Sequence, residues 1–125
     1  MGYRSQVAVV IKTADNNKFA EAINDWDEKH NLDGYHSTKY LLKNADKDRK
    51  SKDGEYRIIS WNDIKWYSGI KGFNDVDFFE SLDDYDIEYD FIRVGENMGD
   101  YEVNEGLNSG LIYPDQSIWF NDEYI

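Results

Sequence analysis

Residues 3–13 read Tyr-Arg-Ser-Gln-Val-Ala-Val-Val-Ile-Lys-Thr, and this stretch decides the fold of the 125-residue chain. Successive side chains of an extended segment point to opposite faces. Both faces are apolar here, with Val7, Val9 and Ile11 on one and Ala8 and Val10 on the other. A strand that is apolar on both faces is typical of the buried interior of a sheet. The stretch therefore predicts a central strand.

The segment after this strand has the period of a helix. Its apolar residues follow the i, i+3, i+4, i+7 spacing of one helix face. They are Phe19, Ala22, Ile23 and Trp26. Asp15 or Asn16 is the expected N-cap, because short polar side chains accept hydrogen bonds from the first free N–H groups. The helix is predicted to end near His30 or Asn31.

Residues 36–61 are predicted to form one long hairpin. Its strands are residues 36–43 and 55–61, and residues 44–54 form a polar tip between them. The tip ends at Asp53-Gly54, a pair that favours a tight turn. The basic residues of the tip and its entrance are Lys43, Lys47, Arg49, Lys50 and Lys52.

A second helix is predicted to begin at the N-cap Asn74, with Phe73 and Phe78 packed as a hydrophobic staple. The inner face of this helix is predicted to carry Phe78, Phe79 and Leu82, and its solvent face Asp77, Glu80 and Asp84. Residues 86–94 then alternate as a strand. Ile87, Tyr89 and Phe91 are predicted on the inner face, with Asp86, Glu88 and Asp90 on the solvent face.

These elements predict a single α+β domain over residues 1–125. The order β-α-β-β-α-β is that of a ferredoxin-like sheet with helices on one face. One or two short C-terminal strands are expected in addition, near residues 101–103 and 117–120.

Charge is distributed unevenly along the chain. The net charge is −12, but residues 1–72 carry 11 acids and 13 bases, whereas residues 73–125 carry 15 acids and one base, Arg93. We call residues 73–125 the acidic half. Eleven of the 20 aromatic residues also lie there, which predicts folded structure, because disordered segments have few large apolar side chains. The carboxylates of the acidic half are therefore expected on an ordered surface.

Several classes of chemistry are disfavoured. The chain has no cysteine, which removes disulfides, thiolate metal sites and cysteine nucleophiles. His30 and His36 have no recognisable nucleophile near them in the sequence. The spacing Asp86-x-Glu88-x-Asp90 lacks the glycine and glutamate that a calcium loop requires at its sixth and twelfth positions. The sequence predicts a protein that is not an enzyme and uses no metal or cofactor.

The cellular setting follows from the same composition. The longest apolar run, residues 7–11, is far shorter than the roughly 20 residues of a membrane span. No leucine-rich signal segment is recognised, so a cytoplasmic location is expected. The net charge of −12 opposes a phosphate backbone, so no direct nucleic-acid binding is expected even at the basic tip. A monomer or homodimer is expected.

The ordered acids suggest a mimic of nucleic acid. A duplex carries one negative charge per about 1.7 Å of axis, so a domain roughly 35 Å across replaces about 20 phosphates, close in number to the acids of this half. The hypothesis is a non-enzymatic protein that occupies a basic groove of a nuclease or another nucleic-acid-binding protein. The predicted interface residues are Asp77, Glu80, Asp83, Asp84, Asp86, Glu88 and Asp90, with Tyr85 as an aromatic anchor at the rim.

An alternative assigns the acids to solubility alone. The protein is then a structural or assembly module that binds a protein partner through aromatic or sheet-edge surface. Trp66 or Trp119 is the aromatic residue expected to contact that partner.

Three short stretches resemble a group of small uncharacterised proteins encoded by bacteriophages. They are the opening Met1-Gly2-Tyr3-Arg4-Ser5-Gln6-Val7-Ala8, then Ile64-Lys65-Trp66-Tyr67, and Asp90-Phe91-Ile92-Arg93-Val94-Gly95-Glu96. The resemblance implies a phage or prophage origin and carries no activity or catalytic residue with it. Small acidic phage proteins include inhibitors of restriction and CRISPR defence that mimic DNA, so the analogy favours an anti-defence protein in the host cytoplasm.

Overall fold

Strand β1, Ser5–Lys12, is the centre of a five-stranded antiparallel sheet. The computed structural model describes residues 3–67, 74–114, 118–121 and 124–125. β1 pairs on one side with β3, Tyr56–Ile64, and on the other with β4, Tyr89–Gly95. β2, Lys47–Lys50, and β5, Tyr101–Glu105, form the edges and give the order β2-β3-β1-β4-β5. The prediction of a central strand is confirmed.

The two apolar faces of β1 pack against two different layers. Val7, Val9 and Ile11 lie in a helix-side core, which also contains Phe19, Ile23, Ile59, Trp61, Phe78, Phe79, Leu82 and Phe91. Ala8 and Val10 lie in a second core, with Ile58, Ile92, Leu111, Ile112, Ile118 and Ile125. The hairpin of β6, Ile112–Pro114, and β7, Ile118–Phe120, supplies part of this second layer. The sheet is therefore covered on both faces.

Helix α1, Asn16–Lys29, forms as the apolar spacing predicts. Phe19, Ala22 and Ile23 are buried and Trp26 is partly buried against the same core. The helix ends where His30 adopts a non-helical conformation, so its predicted end is confirmed within one residue.

The prediction of a strand at residues 36–43 was wrong, because residues Thr38–Lys43 form a second helix, α2. Ser37 is its N-cap, and the hydroxyl accepts a hydrogen bond from the Tyr40 N–H at 3.1 Å. The carboxylate of Asp27 in α1 accepts from the Thr38 N–H at 2.8 Å and the Lys39 N–H at 3.2 Å. Together these acceptors satisfy the free donors of the first turn, which stabilises a helix over an extended segment.

The hairpin is consequently shorter than predicted. β2 pairs with β3 from Lys47↔Ser60 to Lys50↔Arg57, so four residues of the predicted tip form a strand. The turn lies at residues 51–55, where Gly54 has a φ of +76° that favours glycine. The basic residues Lys47, Arg49 and Lys50 thus lie along a sheet edge rather than in a loop.

The second predicted helix is only one turn, α3, Asn74–Asp77, and two 3-10 turns follow at Phe78–Glu80 and Leu82–Tyr85. Phe73, the predicted staple residue, lies outside the described residues. β4 starts at Tyr89 instead of Asp86, because Asp86 has a φ of +59° and ends the second 3-10 turn.

The chain is α+β, but its element order differs from a simple β-α-β-β-α-β order. α2 is inserted before β2, and β5 adds a fifth strand to the sheet. The described C-terminal region has three strands, β5 to β7, where one or two were predicted. Within the described ranges, no helix is both long and apolar enough to cross a bilayer.

Candidate functional site

Four exposed carboxylates project from the segment between α3 and β4. Asp83, Asp84, Asp86 and Glu88 are all exposed, and we call them the acidic ridge. Their backbone is fixed from below, because Leu82 and Ile87 are 0% and 1% exposed and the Ile87 N–H donates to the Leu82 carbonyl at 3.2 Å. The buried residues therefore fix the backbone from which these four carboxylates project.

Lysines from the first half of the chain contact two of the four acids. Lys12 on β1 lies 3.2 Å from Glu88, and Lys18 on α1 lies 3.8 Å from Asp86. Exposed pairs of this kind contribute little to stability, but they reduce the local charge. Asp83 and Asp84 have no ion-pair partner among the described residues, so they carry most of the uncompensated charge of the ridge.

Tyr85, the predicted aromatic anchor, is held against α1. Its hydroxyl donates to the Asp25 carboxylate at 2.7 Å, and its ring packs 5.9 Å from that of Phe78. Burial, together with this hydrogen bond, raises the pKa of Tyr85 to about 12. Tyr85 is partly buried and links the ridge to α1, which fixes the direction in which the neighbouring Asp83 and Asp84 project.

Replacing Asp25 with asparagine is expected to lower the pKa of Tyr85 from about 12 part of the way toward 10.0, because burial, the larger cause, remains. An alkaline titration followed by phenolate absorbance measures the pKa of Tyr85 in the wild type and in Asp25→Asn. The titration curve of the corresponding Tyr85→Phe variant is subtracted from each, so that only the Tyr85 signal remains. The pKa of Tyr85 is about 12 in the folded protein and 10.0 in the unfolded chain, so the neutral phenol favours the folded state. This contribution to stability is fully present below pH 10.0 and is lost as the pH rises through about 12. A wild-type Tyr85 that titrates with an ordinary pKa contradicts this geometry.

The prediction that Asp90 faces solvent was wrong. Asp90 is 3% exposed, and its carboxylate accepts hydrogen bonds from the N–H groups of Leu107, Asn108 and Ser109 at 2.8–3.0 Å. The Ser109 hydroxyl donates to it as well. The face on which Asp90 lies is covered by the C-terminal layer, so this acid fixes a loop and is not available to a partner.

Asp77 and Glu80 are partly buried, so they do not form the fully exposed helix face that the sequence predicts. Glu80 lies close to Tyr89 together with Asp83 and Asp84. Burial, and then the charges of these three acids, raise the pKa of the Tyr89 hydroxyl. That hydroxyl accepts a hydrogen bond from Asn104 of β5 at 3.1 Å, so the ridge adjoins the β5 edge.

A second acidic region, which the sequence reasoning missed, surrounds Arg93. The guanidinium donates to Glu102 at 2.8 Å, to Asp100 at 2.8 Å and to the Ser5 hydroxyl at 3.2 Å. The hydrogen bonds from Arg93 and then from Tyr3 lower the pKa of Asp100. The signal in the sequence was Arg93 itself. Arg93 lies on the same strand face as the buried Tyr89 and Phe91, and a cation on a buried face requires acidic partners.

Two features bear on catalytic and metal chemistry, the grouping of possible ligands and the positions of the two histidines. Across the described ranges, no three histidine or acidic side chains converge on a position where a metal ion could bind. His30 packs on Trp26 at 4.2 Å between ring centroids, and His36 lies exposed in a 3-10 turn.

The two tryptophans of the alternative hypothesis differ in position. Trp66 is 5% exposed within the helix-side core, so the prediction that it contacts a partner was wrong. Trp119 is 52% exposed and stacks on Tyr113, with the rings 6.5 Å apart and 3° from parallel. This pair forms an aromatic patch on the outer face of the β6–β7 hairpin.

Comparisons with protein-family models, curated proteins and solved structures find no match for this chain.

Proposed function

We propose that this protein is a non-enzymatic inhibitor whose acidic ridge occupies a basic groove on a nucleic-acid-binding protein. The observation that carries the proposal is the exposure of Asp83, Asp84, Asp86 and Glu88 on a segment fixed by Leu82 and Ile87. A fixed backbone suits such a groove, because little backbone freedom is lost when the carboxylates bind.

The extent of the acidic surface supports the proposal. Residues 83–105 contain seven exposed carboxylates, four in the ridge and three at Glu96, Glu102 and Glu105. β4 and β5 connect the two groups over roughly 20 Å, a length over which a duplex carries about 12 charges. The density of carboxylates is therefore within a factor of about two of that of duplex phosphates, and Lys12, Lys18 and Arg93 neutralise three of the seven.

The inferred mechanism is competitive occlusion. Opposite charges accelerate association with a basic groove, and salt above about 0.1 M weakens this steering. Because Asp86 and Glu88 already lie beside lysines, Asp83 and Asp84 contribute most, and Asp90 contributes only by fixing its loop. The resemblance of the three short stretches supports an origin in a bacteriophage, with a host defence nuclease as the target in the host cytoplasm.

A finer assignment of the fold belongs to the same proposal. Strands β2-β3-β1-β4 follow the order of the split β-α-β arrangement, and every pairing is antiparallel. We infer a ferredoxin-like ancestor to which α2, β5 and the β6–β7 hairpin were added.

Capture from a bacterial lysate tests the function. We expect the immobilised wild-type protein to retain a nucleic-acid-binding protein that competing duplex DNA releases. The variant Asp83→Asn/Asp84→Asn/Asp86→Asn is expected to bind that protein at least about tenfold more weakly, or about 1.4 kcal/mol. The matched control removes three other exposed acids: Glu21→Gln, Glu28→Gln and Asp33→Asn. Equal capture by both variants, or a captured protein that DNA does not release, overturns the proposal.

The Tyr113–Trp119 patch favours a second candidate, a module that binds a protein through aromatic surface. In that case binding persists through about 1 M salt, where charges are screened beyond roughly 3 Å. Trp119→Ala then weakens capture and the ridge variant does not.

A further inference from the structure

The two edges of the five-stranded sheet carry opposite charge. β2 reads Lys-Asp-Arg-Lys, and its one acid, Asp48, is held by Arg57 through two 2.8 Å hydrogen bonds. β5 reads Tyr-Glu-Val-Asn-Glu, contains no base, and is exposed at all five residues. We propose that the β5 edge of one copy pairs with the β2 edge of a second copy, so that the protein associates head to tail.

The backbone of β5 presents free hydrogen-bonding groups at its edge. Antiparallel strands alternate between residues that bond to the neighbour and residues that point away. The Gly95 N–H donates to the Asp100 carbonyl at 2.7 Å, which places residues 102 and 104 on the bonded side. The N–H and C=O groups of Tyr101, Val103 and Glu105 therefore point outward.

The same argument applies to the β2 edge. The Ser51 N–H donates to the Tyr56 carbonyl at 2.8 Å, so Lys47 and Arg49 bond inward to β3. The backbone groups of Asp48 and Lys50 point outward. Among the described residues, neither edge pairs with a further strand. The outward N–H of Lys52, just beyond β2, donates to the Tyr124 carbonyl at 2.9 Å, but no described residue bonds the outward backbone groups of Asp48 and Lys50. Free donors and acceptors at alternate residues are what strand addition requires.

β5 lacks the features that usually prevent edge pairing. Natural edge strands are interrupted by lysine, proline or a bulge, and β5 has none of these along Tyr101–Glu105. Tyr101 and Val103 are 53% and 41% exposed, so the edge is also apolar. A partner strand would cover both side chains.

One antiparallel register satisfies backbone and charge together. When Val103 lies opposite Asp48 of the second copy, Glu102 lies opposite Arg49 and Tyr101 opposite Lys50 of that copy. Glu102 also accepts a hydrogen bond from Arg93 of its own copy at 2.8 Å, so it would bridge the two guanidinium groups. A β5–β5 or β2–β2 pair would place strands of like charge side by side, which is destabilising. Charge complementarity therefore favours the head-to-tail arrangement, which extends into chains unless it closes into a ring.

Two variants with different defects test this arrangement. Arg49→Glu reverses the charge of the β2 edge and leaves β5 intact. Val103→Pro removes an outward N–H from β5, a position where an edge strand tolerates proline, and leaves β2 intact. Lys39→Glu, with the same charge change at an exposed residue of α2, is the matched control.

Sedimentation equilibrium of each purified protein gives the readout. We use about 0.15 M salt, where the Debye length is about 8 Å. At that distance the salt screens the repulsion between two negatively charged molecules more strongly than the short ion pairs between adjacent strands. The wild type and Lys39→Glu are expected to associate with a Kd of about 100 µM, as small interfaces do. Arg49→Glu and Val103→Pro are each expected to remain monomeric.

An equimolar mixture of the two defective variants is the decisive sample. The intact β2 edge of Val103→Pro can pair with the intact β5 edge of Arg49→Glu, so the mixture is expected to form one-to-one dimers and nothing larger. Folding is checked by Tm, with shifts below about 5 °C expected. A wild type that stays monomeric to about 1 mM overturns the proposal, because even a weak interface associates there. Folded variants that self-associate alone, or fail to pair when mixed, also overturn it.

Discussion

Replacing Asp90 with alanine is expected to lower the free energy of unfolding by about 3–5 kcal/mol, because three backbone N–H groups lose a charged acceptor in a buried site. The carboxylate lies within 3.0 Å of the N–H groups of Leu107, Asn108 and Ser109. Alanine offers no acceptor, and water has little access to a side chain that is 3% exposed. Urea unfolding followed by far-ultraviolet circular dichroism at neutral pH measures the loss.

Two controls separate this role from a general effect of charge. Asp90→Asn retains one oxygen acceptor and is expected to lose roughly half as much stability as Asp90→Ala. Glu105→Ala removes an exposed acid from the residue that pairs with Asp90 on β5, and is expected to cost below about 0.5 kcal/mol. A loss for Asp90→Ala below about 1 kcal/mol would show that the three N–H groups find other acceptors. An unstable Asp90 variant also cannot test partner binding, which is why the capture experiment uses Asp83, Asp84 and Asp86.

The spacing of apolar residues was sufficient to predict an element whose apolar face is also the face that is buried in the structure. β1 is apolar on both faces. It pairs along almost all of its length with β3 on one side and β4 on the other. The spacing from Phe19 to Trp26 likewise identified the buried face of α1. In both cases the signal and the structure depend on the same few consecutive residues.

The error at residues 36–43 arose from a contact between elements that are separate in sequence. Tyr40 favours a strand, whereas leucine, at positions 41 and 42, forms helices well, so the composition of this segment is ambiguous. The donors of Thr38 and Lys39 are nevertheless satisfied by Asp27, 11 and 12 residues earlier in the chain. Local propensity does not reveal such an acceptor, and tertiary contacts routinely override propensity.

The acidic ridge and Asp90 show what alternation does and does not predict. The alternation of residues 86–91 correctly places Asp90 on the face opposite Tyr89 and Phe91. Whether that face meets solvent depends on the β6–β7 hairpin, which covers it from about 20 residues further along the chain. Glu88 and Asp90 are two residues apart, yet one is exposed and the other fixes a loop.

Replacing Trp66 with alanine is expected to lower the free energy of unfolding by about 3–5 kcal/mol, as truncation of a large buried aromatic side chain does. Its ring lies 5.4 Å from Trp61, 5.9 Å from Phe79 and 6.0 Å from Phe91, so alanine leaves a cavity at the centre of the helix-side core. The same unfolding measurement applies. Trp119→Ala, the exposed counterpart, is expected to lose about 1 kcal/mol through its stacking on Tyr113.

Trp66→Phe distinguishes packing from hydrogen bonding at this position. The indole N–H of Trp66 is buried and has no hydrogen-bond acceptor among the described residues, whereas that of Trp61 donates to the Leu41 carbonyl at 3.0 Å. Phenylalanine at position 66 removes an unsatisfied donor and keeps most of the ring contacts, so the expected loss is below about 1.5 kcal/mol. Trp61→Phe is expected to lose more, because it also removes a satisfied hydrogen bond. Similar large losses of stability for Trp66→Phe and Trp66→Ala would contradict this prediction. Because Trp66→Ala is expected to destabilise the fold, a loss of partner capture by that variant must be attributed to unfolding. Of these two tryptophans, only Trp119 therefore tests the aromatic surface.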